Sequence, residues 1–192
     1  MKKSELRKIF KQKRNQLSAA QIADQSQAIA RLFFDTFNLS QSHVIHTYLP
    51  ISQQNEVDTI PIIDGIEENF PSTKIIISRS VVESNELENF IWSTSTPLTI
   101  NSWGILEPNS HTHTFYKLFD FDIVFIPLLV YDIHGNRIGY GKGFYDRFLA
   151  KCPTKTTKIG LSFFEPIDLI TDTNSYDRPL DFCITPHKIW KF

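Results

Sequence analysis

The chain has 192 residues, 41% hydrophobic and 21% charged, a composition typical of a globular protein, and we expect a single domain over residues 1–192. Its formal net charge of −1 gives no overall electrostatic case for binding nucleic acid or an anionic membrane, so small-molecule partners are expected. The two cysteines, Cys152 and Cys183, form neither a disulfide framework nor a metal-binding pattern, which favours a reducing, cytoplasmic compartment, and we expect a monomer.

The N-terminal segment predicts a helix over Ser4–Leu17, because its apolar residues share one face and no Gly or Pro interrupts it. No apolar run follows this basic start, so we expect no secretory signal. Lys3, Arg7, Lys11 and Arg14 are spaced by four, four and three residues and form a basic stripe. Such a stripe on a nearly neutral chain suits a small anionic ligand or a solvated helix face.

The next elements alternate between helices and strands. Ser18 and Gln21 form a capping box that begins a second helix. The run 44–49 predicts a buried strand, and 56–69 predicts a third helix. The β-branched run Lys74–Ser78 is typical of a strand covered on both faces.

A polar stretch separates these elements from the second half of the chain. Residues 93–113 contain Pro and Gly and predict a loop. His111 and His113 in it resemble a metal pair, but no third ligand is evident, so we interpret them as loop residues.

The remaining elements complete an alternating pattern. A weak strand at 89–92, strands at 122–127, 158–163 and 182–185, and a helix at 144–150 are predicted. Strands that alternate with helices predict an α/β fold: a mostly parallel sheet with helices on both faces, Rossmann-like and three-layered, with additional N-terminal helices.

The glycine-rich segment after the strongest strand is the most informative part of the chain. Four of the seven glycines, Gly135, Gly139, Gly141 and Gly143, lie in it, between that strand and a helix. Ligands of open α/β sheets bind outside the carboxyl ends of strands. Glycines allow backbone N–H groups to converge on phosphate oxygens, and Lys142 and the helix N-terminus add positive charge.

This segment matches neither common nucleotide motif. A Walker A loop needs Gly five residues before the Gly-Lys pair and Ser or Thr after it, whereas Asn136 and Gly143 occupy those positions. The spacing is also not that of a dinucleotide fingerprint. The alternative is a turn without a ligand, but Arg137, Lys142 and Asp146 are suited to phosphate and metal.

The run Gly135–Arg147, GNRIGYGKGFYDR, resembles the signature of the 5-formyltetrahydrofolate cyclo-ligases, also called methenyltetrahydrofolate synthetases. Further matching segments follow the order of that family: Lys3 with Leu6-Arg7, Tyr48-Leu49-Pro50 with Glu56-Val57, Trp103-Gly104-Ile105 with Glu107-Pro108, Asp122-Ile123-Val124, and Tyr176-Asp177 with Asp181. The resemblance covers nearly the whole chain. Phe144 stands where the family commonly has Tyr, and Tyr176 where bacterial members often have His.

The resemblance implies a ligase that uses ATP to convert 5-formyltetrahydrofolate to 5,10-methenyltetrahydrofolate, with release of ADP and phosphate. It implies that Lys142 and Arg137 act on the transferred phosphoryl group, and that Asp146 and Asp177 hold Mg²⁺.

The resemblance also implies two ligand-binding sets that share the glycine loop. The ATP set is Lys3, Arg7, Arg137, Ile138, Gly139, Tyr140, Gly141, Lys142, Gly143, Phe144 and Tyr145. The folate set is Ile51, Glu56, Trp103, Tyr140, Gly141, Lys142, Gly143, Phe144 and Tyr145.

Two other functions remain open at this point. A sugar-phosphate isomerase on a related α/β scaffold would use the glycine loop for phosphate without ATP. A regulator that binds nucleotide or folate without turnover is the other alternative, and the departures at Phe144 and Tyr176 are the features that allow it.

Overall fold

A computed structural model describes residues 1–109, 111, 114–117 and 119–192. His113 of the predicted loop lies outside these residues. The helices are α1 (Lys3–Asn15), α2 (Ala19–Thr36), α3 (Ile60–Asn69) and α4 (Phe144–Lys151). The strands are β1 (Val44–His46), β2 (Lys74–Val81), β3 (Glu86–Ile91), β4 (Leu98–Ile100), β5 (Leu106–Pro108), β6 (Ile123–Pro127), β7 (Val130–Tyr131), β8 (Arg137–Ile138), β9 (Thr157–Leu161), β10 (Phe182–Ile184) and β11 (Ile189–Lys191).

Seven of these strands form one sheet in the order β11-β10-β9-β6-β1-β2-β3. The pairings from β10 through β2 are parallel, and the two edge strands, β11 and β3, pair antiparallel. In the register, Ile45 of β1 lies opposite Ile75 of β2 and Ile123 of β6. The predicted, mostly parallel sheet is confirmed.

Helices cover both faces of this sheet, as β6 illustrates. Ile123 and Phe125 point to the apolar layer that α2 and α3 complete. Val124 and Ile126 point to the opposite layer, which contains residues of α4. Period-two alternation of fully buried residues is what a strand covered on both faces requires. The predicted three-layer arrangement is therefore confirmed.

The first helix packs separately from the other three. Its apolar face contributes Leu6 and Phe10 to a third cluster, completed by Leu129, Val130, Ile138 and Ile170. This packing brings the N-terminal end of the chain against β7 and β8, and β8 is part of the glycine-rich segment 135–143. Among the described residues, no helix is long and apolar enough to cross a membrane.

The predicted helix at 56–69 begins four residues later than expected, at Ile60. Asn55 adopts a left-handed conformation (φ 50°) that ends a short 3₁₀ turn at Ser52–Gln54. Pro61 lies in the first turn of α3, where its missing N–H costs nothing. Glu56 therefore precedes the helix and is not part of its first turn.

The prediction of loop for 93–113 is wrong in part, because β4 and β5 pair as an antiparallel hairpin there. Asn101 organises its turn: its backbone N–H donates to Ile105 O, and its side-chain oxygen accepts from the N–H groups of Trp103 and Ile105. Strands of three residues are too short to show the alternation from which strands are predicted, and a turn stabilised by a side chain leaves no apolar pattern.

Candidate active site

A cleft of about 630 Å³ opens beside the glycine-rich turn. The cleft lies at the carboxyl ends of β1 and β6, since Tyr48, Leu49 and Pro127 line it. All sixteen residues predicted for the site line this one cleft: Lys3, Arg7, Ile51, Glu56, Trp103, Arg137, Ile138, Gly139, Tyr140, Gly141, Lys142, Gly143, Phe144, Tyr145, Asp146 and Asp177.

The glycine turn depends on backbone conformations that other residues avoid. Gly141 has φ 95° and Gly143 has φ 74°. A Cβ on Gly141 would also lie 3.2 Å from the guanidinium carbon of Arg7. Gly143 is the N-cap of α4 and provides no side-chain cap, so the first N–H groups of that helix receive no side-chain acceptor from it.

Helix α1 supplies two cations to the turn. Arg7 Nε donates to the carbonyl oxygen of Gly139 at 3.0 Å. Lys3 Nζ lies 2.5 Å from Asp177 Oδ2. One face of an N-terminal helix thus contacts two loops that are more than 130 residues away in the chain.

Arg137 and Lys142 differ in how firmly they are held. Arg137 is buried, and its Nη1 donates to Asp146 Oδ1 at 2.9 Å and to the carbonyl oxygen of Arg178 at 3.0 Å. Lys142 is exposed in the turn, and its ammonium takes part in no ion pair with the described residues. Lys142 can therefore move to a ligand, whereas Arg137 is fixed in place.

In each of the two carboxylates predicted to hold Mg²⁺, only one of the two oxygens accepts hydrogen bonds from the described residues. Asp146 Oδ1 accepts from Arg137, and Asp177 Oδ2 accepts from Lys3. Within the described residues, Asp146 Oδ2 and Asp177 Oδ1 accept no hydrogen bond. No described group of three or more His, Cys, Asp or Glu could hold a metal ion. Two carboxylate oxygens fit Mg²⁺ when phosphate oxygens and water complete its shell.

Glu56 is the most deeply buried acid of the cleft, with 4% of its surface exposed. Its Oε1 accepts from the Tyr140 hydroxyl at 2.6 Å, and its Oε2 accepts from the Ile51 N–H at 2.8 Å. Burial raises the pKa of Glu56, whereas these two hydrogen bonds and the charge of Arg14 lower it. Four lone-pair positions exist on a carboxylate, so two remain for a ligand.

Aromatic side chains form part of the cleft wall. Trp103, at the tip of the β4–β5 hairpin, meets Phe144 edge to face, with 6.2 Å between ring centroids. Trp103 remains 40% exposed, so its face is available to a flat ligand. Tyr145 also lines the cleft, and burial raises the pKa of its hydroxyl. Tyr176, by contrast, is 79% exposed and does not line the cleft.

Comparison with known proteins identifies the family. Residues 1–186 match the model of the 5-formyltetrahydrofolate cyclo-ligase family. The chain belongs to this family. A mouse 5-formyltetrahydrofolate cyclo-ligase is 30% identical over 92% of this chain and 89% of its own length. A Schizosaccharomyces pombe protein described as a probable 5-formyltetrahydrofolate cyclo-ligase is 26% identical, over 98% of this chain and 97% of its own.

A solved structure shows the same fold. The NMR structure of 5,10-methenyltetrahydrofolate synthetase from Aquifex aeolicus superimposes with a TM-score of 0.81 and 27% identity. The match covers 100% of this chain and 93% of that one. Membership of the cyclo-ligase family makes this chain a ligase and sets aside the sugar-phosphate isomerase interpretation.

Sequence reasoning missed several side chains at the cyclo-ligase cleft. Arg14 was expected only as part of a solvated or ligand-binding stripe, yet it is buried beside Glu56 and Tyr140. Ser78 lines the cleft and is bonded to buried His46, whose pKa is lowered by burial to about 3. One signal could have found Arg14: it follows Leu6 and Phe10 at intervals of four, on the apolar face of α1.

Proposed function

We propose that this family member converts 5-formyltetrahydrofolate to 5,10-methenyltetrahydrofolate with the conversion of ATP to ADP and phosphate. One observation carries the proposal: a single cleft contains both the cationic glycine turn and the buried carboxylate of Glu56. The reaction needs two ligands held side by side, one rich in phosphate charge and one with a polar, flat ring system.

The pterin of the reduced folate is the ligand suited to Glu56. Its amino-pyrimidine edge carries N–H donors, and the two lone-pair positions left on the carboxylate can accept two of them. The Ile51 N–H and the Tyr140 hydroxyl fix the carboxylate plane. Trp103 and Tyr145 provide ring surface for the flat ligand.

The triphosphate of ATP is the ligand suited to the glycine turn. Arg7 and Lys3 reach the cleft from α1, and Arg137 and Lys142 from the turn itself. Helix α4 begins at Phe144, directly after its N-cap Gly143, and its N-terminus adds backbone N–H donors. These groups bind and orient phosphate oxygens without any covalent role for the protein.

The chemistry then consists of two displacements. The formyl oxygen forms a bond to the γ-phosphorus while the bond to ADP breaks. N10 next attacks the activated formyl carbon, loses its proton, and phosphate departs with its oxygen to leave the methenyl cation. Lys142 stabilises charge on the moving phosphoryl group because its ammonium is free to follow it, and Arg137 holds the same group from a fixed position.

Asp146 and Asp177 would hold Mg²⁺, each through the oxygen that no described residue occupies. The ion, when bound, neutralises phosphate charge and polarises the γ-phosphoryl group. The two carboxylates are kept in place by Arg137 and Lys3 on their other oxygens.

We propose that residues 1–192 form one catalytic domain that acts as a cytoplasmic monomer on small molecules. A single seven-stranded sheet organises the core that supports the cleft. Both cysteines, Cys152 and Cys183, are free thiols, as suits a reducing compartment.

The test is formation of the methenyl product by the purified protein. With 5-formyltetrahydrofolate, ATP and Mg²⁺ together, absorbance of the methenyl cation should appear in step with ADP release. Omission of any one component should abolish it. Binding of both ligands without product at high protein concentration would instead support a regulator and would refute the proposed activity.

A further inference from the structure

Helix α1 places a buried positive charge beside the cleft. Arg14 is only 3% exposed, although its neighbours Lys11 and Lys13 lie at the surface. It occupies the face of α1 on which Leu6 and Phe10 pack into the protein. A buried guanidinium is costly unless its charge and its donors are matched, so the partners of Arg14 indicate why the charge is there.

The hydrogen-bond partners of Arg14 connect it to Glu56, the acid proposed to bind the folate. Arg14 Nη1 donates to the carbonyl oxygen of Leu128 at 3.3 Å, and Nη2 donates to the Tyr140 hydroxyl. Tyr140 donates its only hydroxyl proton to Glu56 Oε1 at 2.6 Å. No ion pair of the described residues includes Arg14. The buried cation and the buried anion are thus joined through one phenol.

A second contact ties Arg14 to the same segment. Its backbone carbonyl accepts from Asn55 Nδ2 at 3.2 Å. Asn55 precedes Glu56 and carries the left-handed conformation that ends the 3₁₀ turn. Arg14 is therefore linked to Glu56 in two ways. The Arg14 backbone carbonyl holds the neighbouring Asn55, and the Arg14 side chain acts through Tyr140.

We propose that Arg14 is a positioning residue that holds Glu56 ionised and oriented for the reduced folate through the hydroxyl of Tyr140. The inference rests on the proposed function, because that function makes the reduced folate the ligand of Glu56. Hydrophobic residues could fill the place of Arg14 for stability alone, as they do at Leu6 and Phe10. A requirement for charge beside Glu56 accounts for a guanidinium at this position.

The surroundings of Glu56 set the sign of the expected pH effect. Tyr48, Tyr140 and Tyr145 face it, and burial raises the pKa of all three, so they stay neutral. Burial raises the pKa of Glu56; the hydrogen bonds from Tyr140 and Ile51 lower it, and the charge of Arg14 lowers it further. Without the charge of Arg14, the pKa of Glu56 is higher, so Glu56 takes up its proton earlier as the pH falls. The affinity for the folate is then lost earlier on acidification than in wild type.

The experiment compares Arg14→Gln and Arg14→Lys with Arg31→Gln, an exposed arginine of α2 that serves as the matched control. Calorimetric titration with 5-formyltetrahydrofolate gives affinity between about pH 5 and pH 8, and methenyl formation gives both KM values. Arg14→Gln should weaken folate binding by about tenfold or more at neutral pH, by loss of a charge-assisted link. The acid limb of its affinity profile, which is the pH range over which folate affinity falls on acidification, should move to higher pH. The KM for ATP should stay near that of wild type. Arg14→Lys should restore the position of the acid limb.

Equal increases in both KM values with an unmoved acid limb would show a merely structural role and overturn the inference. If Arg14→Gln does not fold, Tyr140→Phe decides, because it cuts the link and keeps both charged ends. An acid limb at the wild-type pH in Tyr140→Phe would then reject the proposal. Wild type that binds the folate but forms no methenyl product would refute the proposed activity alone, since the binding comparison is measured separately.

Discussion

Glu56 and the pair Asp146 and Asp177 are carboxylates of one cleft, yet their surroundings differ. Glu56 is buried and accepts from two neutral donors, a hydroxyl and a backbone N–H. Asp146 and Asp177 have side chains that are 28% and 20% exposed, and each is paired directly with a cation, Arg137 or Lys3. Glu56 therefore has only neutral donors, whereas Asp146 and Asp177 each combine a backbone N–H donor with a cation.

This difference indicates which ligand each region can accept. A buried carboxylate with two neutral partners favours a ligand with well-placed donors, and an uncharged pterin edge supplies them. The partly exposed Lys3–Asp177 pair is worth little in contact with water, so Lys3 can also turn to a phosphate, whereas Arg137 stays fixed beside Asp146. In the proposed function, phosphate oxygens share these cations while a divalent ion binds the carboxylate oxygens that the cations leave free.

The largest expected effect lies on the phosphate side. Lys142→Ala should lower kcat by about 10²–10³-fold, or roughly 3–4 kcal/mol of barrier, because charge on the moving phosphoryl group loses its mobile cation. The KM for the folate should change little. Steady-state methenyl formation measures both, with Lys155→Ala, an exposed lysine, as the control. A variant with normal kcat would remove Lys142 from the phosphoryl site.

The next largest effect lies on the folate side. Glu56→Gln keeps the size of the side chain but loses its charge, and should raise the KM for the folate by about 10–100-fold, since a charge-assisted hydrogen bond is worth roughly 1.5–3 kcal/mol. At saturating folate, kcat should be largely retained. Glu68→Gln, on the exposed part of α3, is the control. A fall in kcat with unchanged KM would contradict the separation of the two regions.

The fold could be predicted largely from hydrophobic pattern, and the places where prediction failed share a cause. The strand at Ile123–Pro127 is a β-branched and aromatic run that is buried on both faces. The β4–β5 hairpin has no such run and depends on hydrogen bonds to Asn101. Glu56 lies outside its expected helix because of the left-handed Asn55, which pattern reasoning does not detect.

The site was predicted as a set of residues, but not as an arrangement. Glycine spacing and neighbouring charge identify the turn at 135–143 from local sequence alone. The approach of Arg7 to Gly139, and of Lys3 to Asp177, depends on packing between distant segments. The link from Arg14 through Tyr140 to Glu56 is equally non-local, and a basic stripe at helical spacing gives no sign of it.

A smaller effect is expected for the proposed metal. Asp177→Asn should raise the Mg²⁺ concentration for half-maximal activity by roughly tenfold or more, as changes around metal sites commonly do. The neutral amide binds a divalent ion less well and leaves Lys3 without its anion. Activity titrated with Mg²⁺ at fixed ATP measures the shift, with Asp24→Asn, an exposed residue of α2, beside it. Identical titrations for both variants would exclude Asp177 from the metal site.

The smallest effect concerns the aromatic wall. Trp103→Leu should raise the KM for the folate by about two- to tenfold, because an aromatic contact adds roughly 0.5–1.5 kcal/mol beyond its area. Tyr176→Leu removes an aromatic ring outside the cleft and should leave that KM unchanged. Fluorescence titration with the folate compares the two variants. Equal behaviour would place the pterin away from Trp103.

The docking of α1 has a consequence for how the enzyme is made. Its partners Leu129, Ile138 and Ile170 emerge from the ribosome long after Leu6 and Phe10. Contacts between such distant segments form late, because a long loop must close first. We expect most of the sheet of a nascent chain to form before α1 docks. The active site is then complete only when nearly all of the polypeptide has been translated.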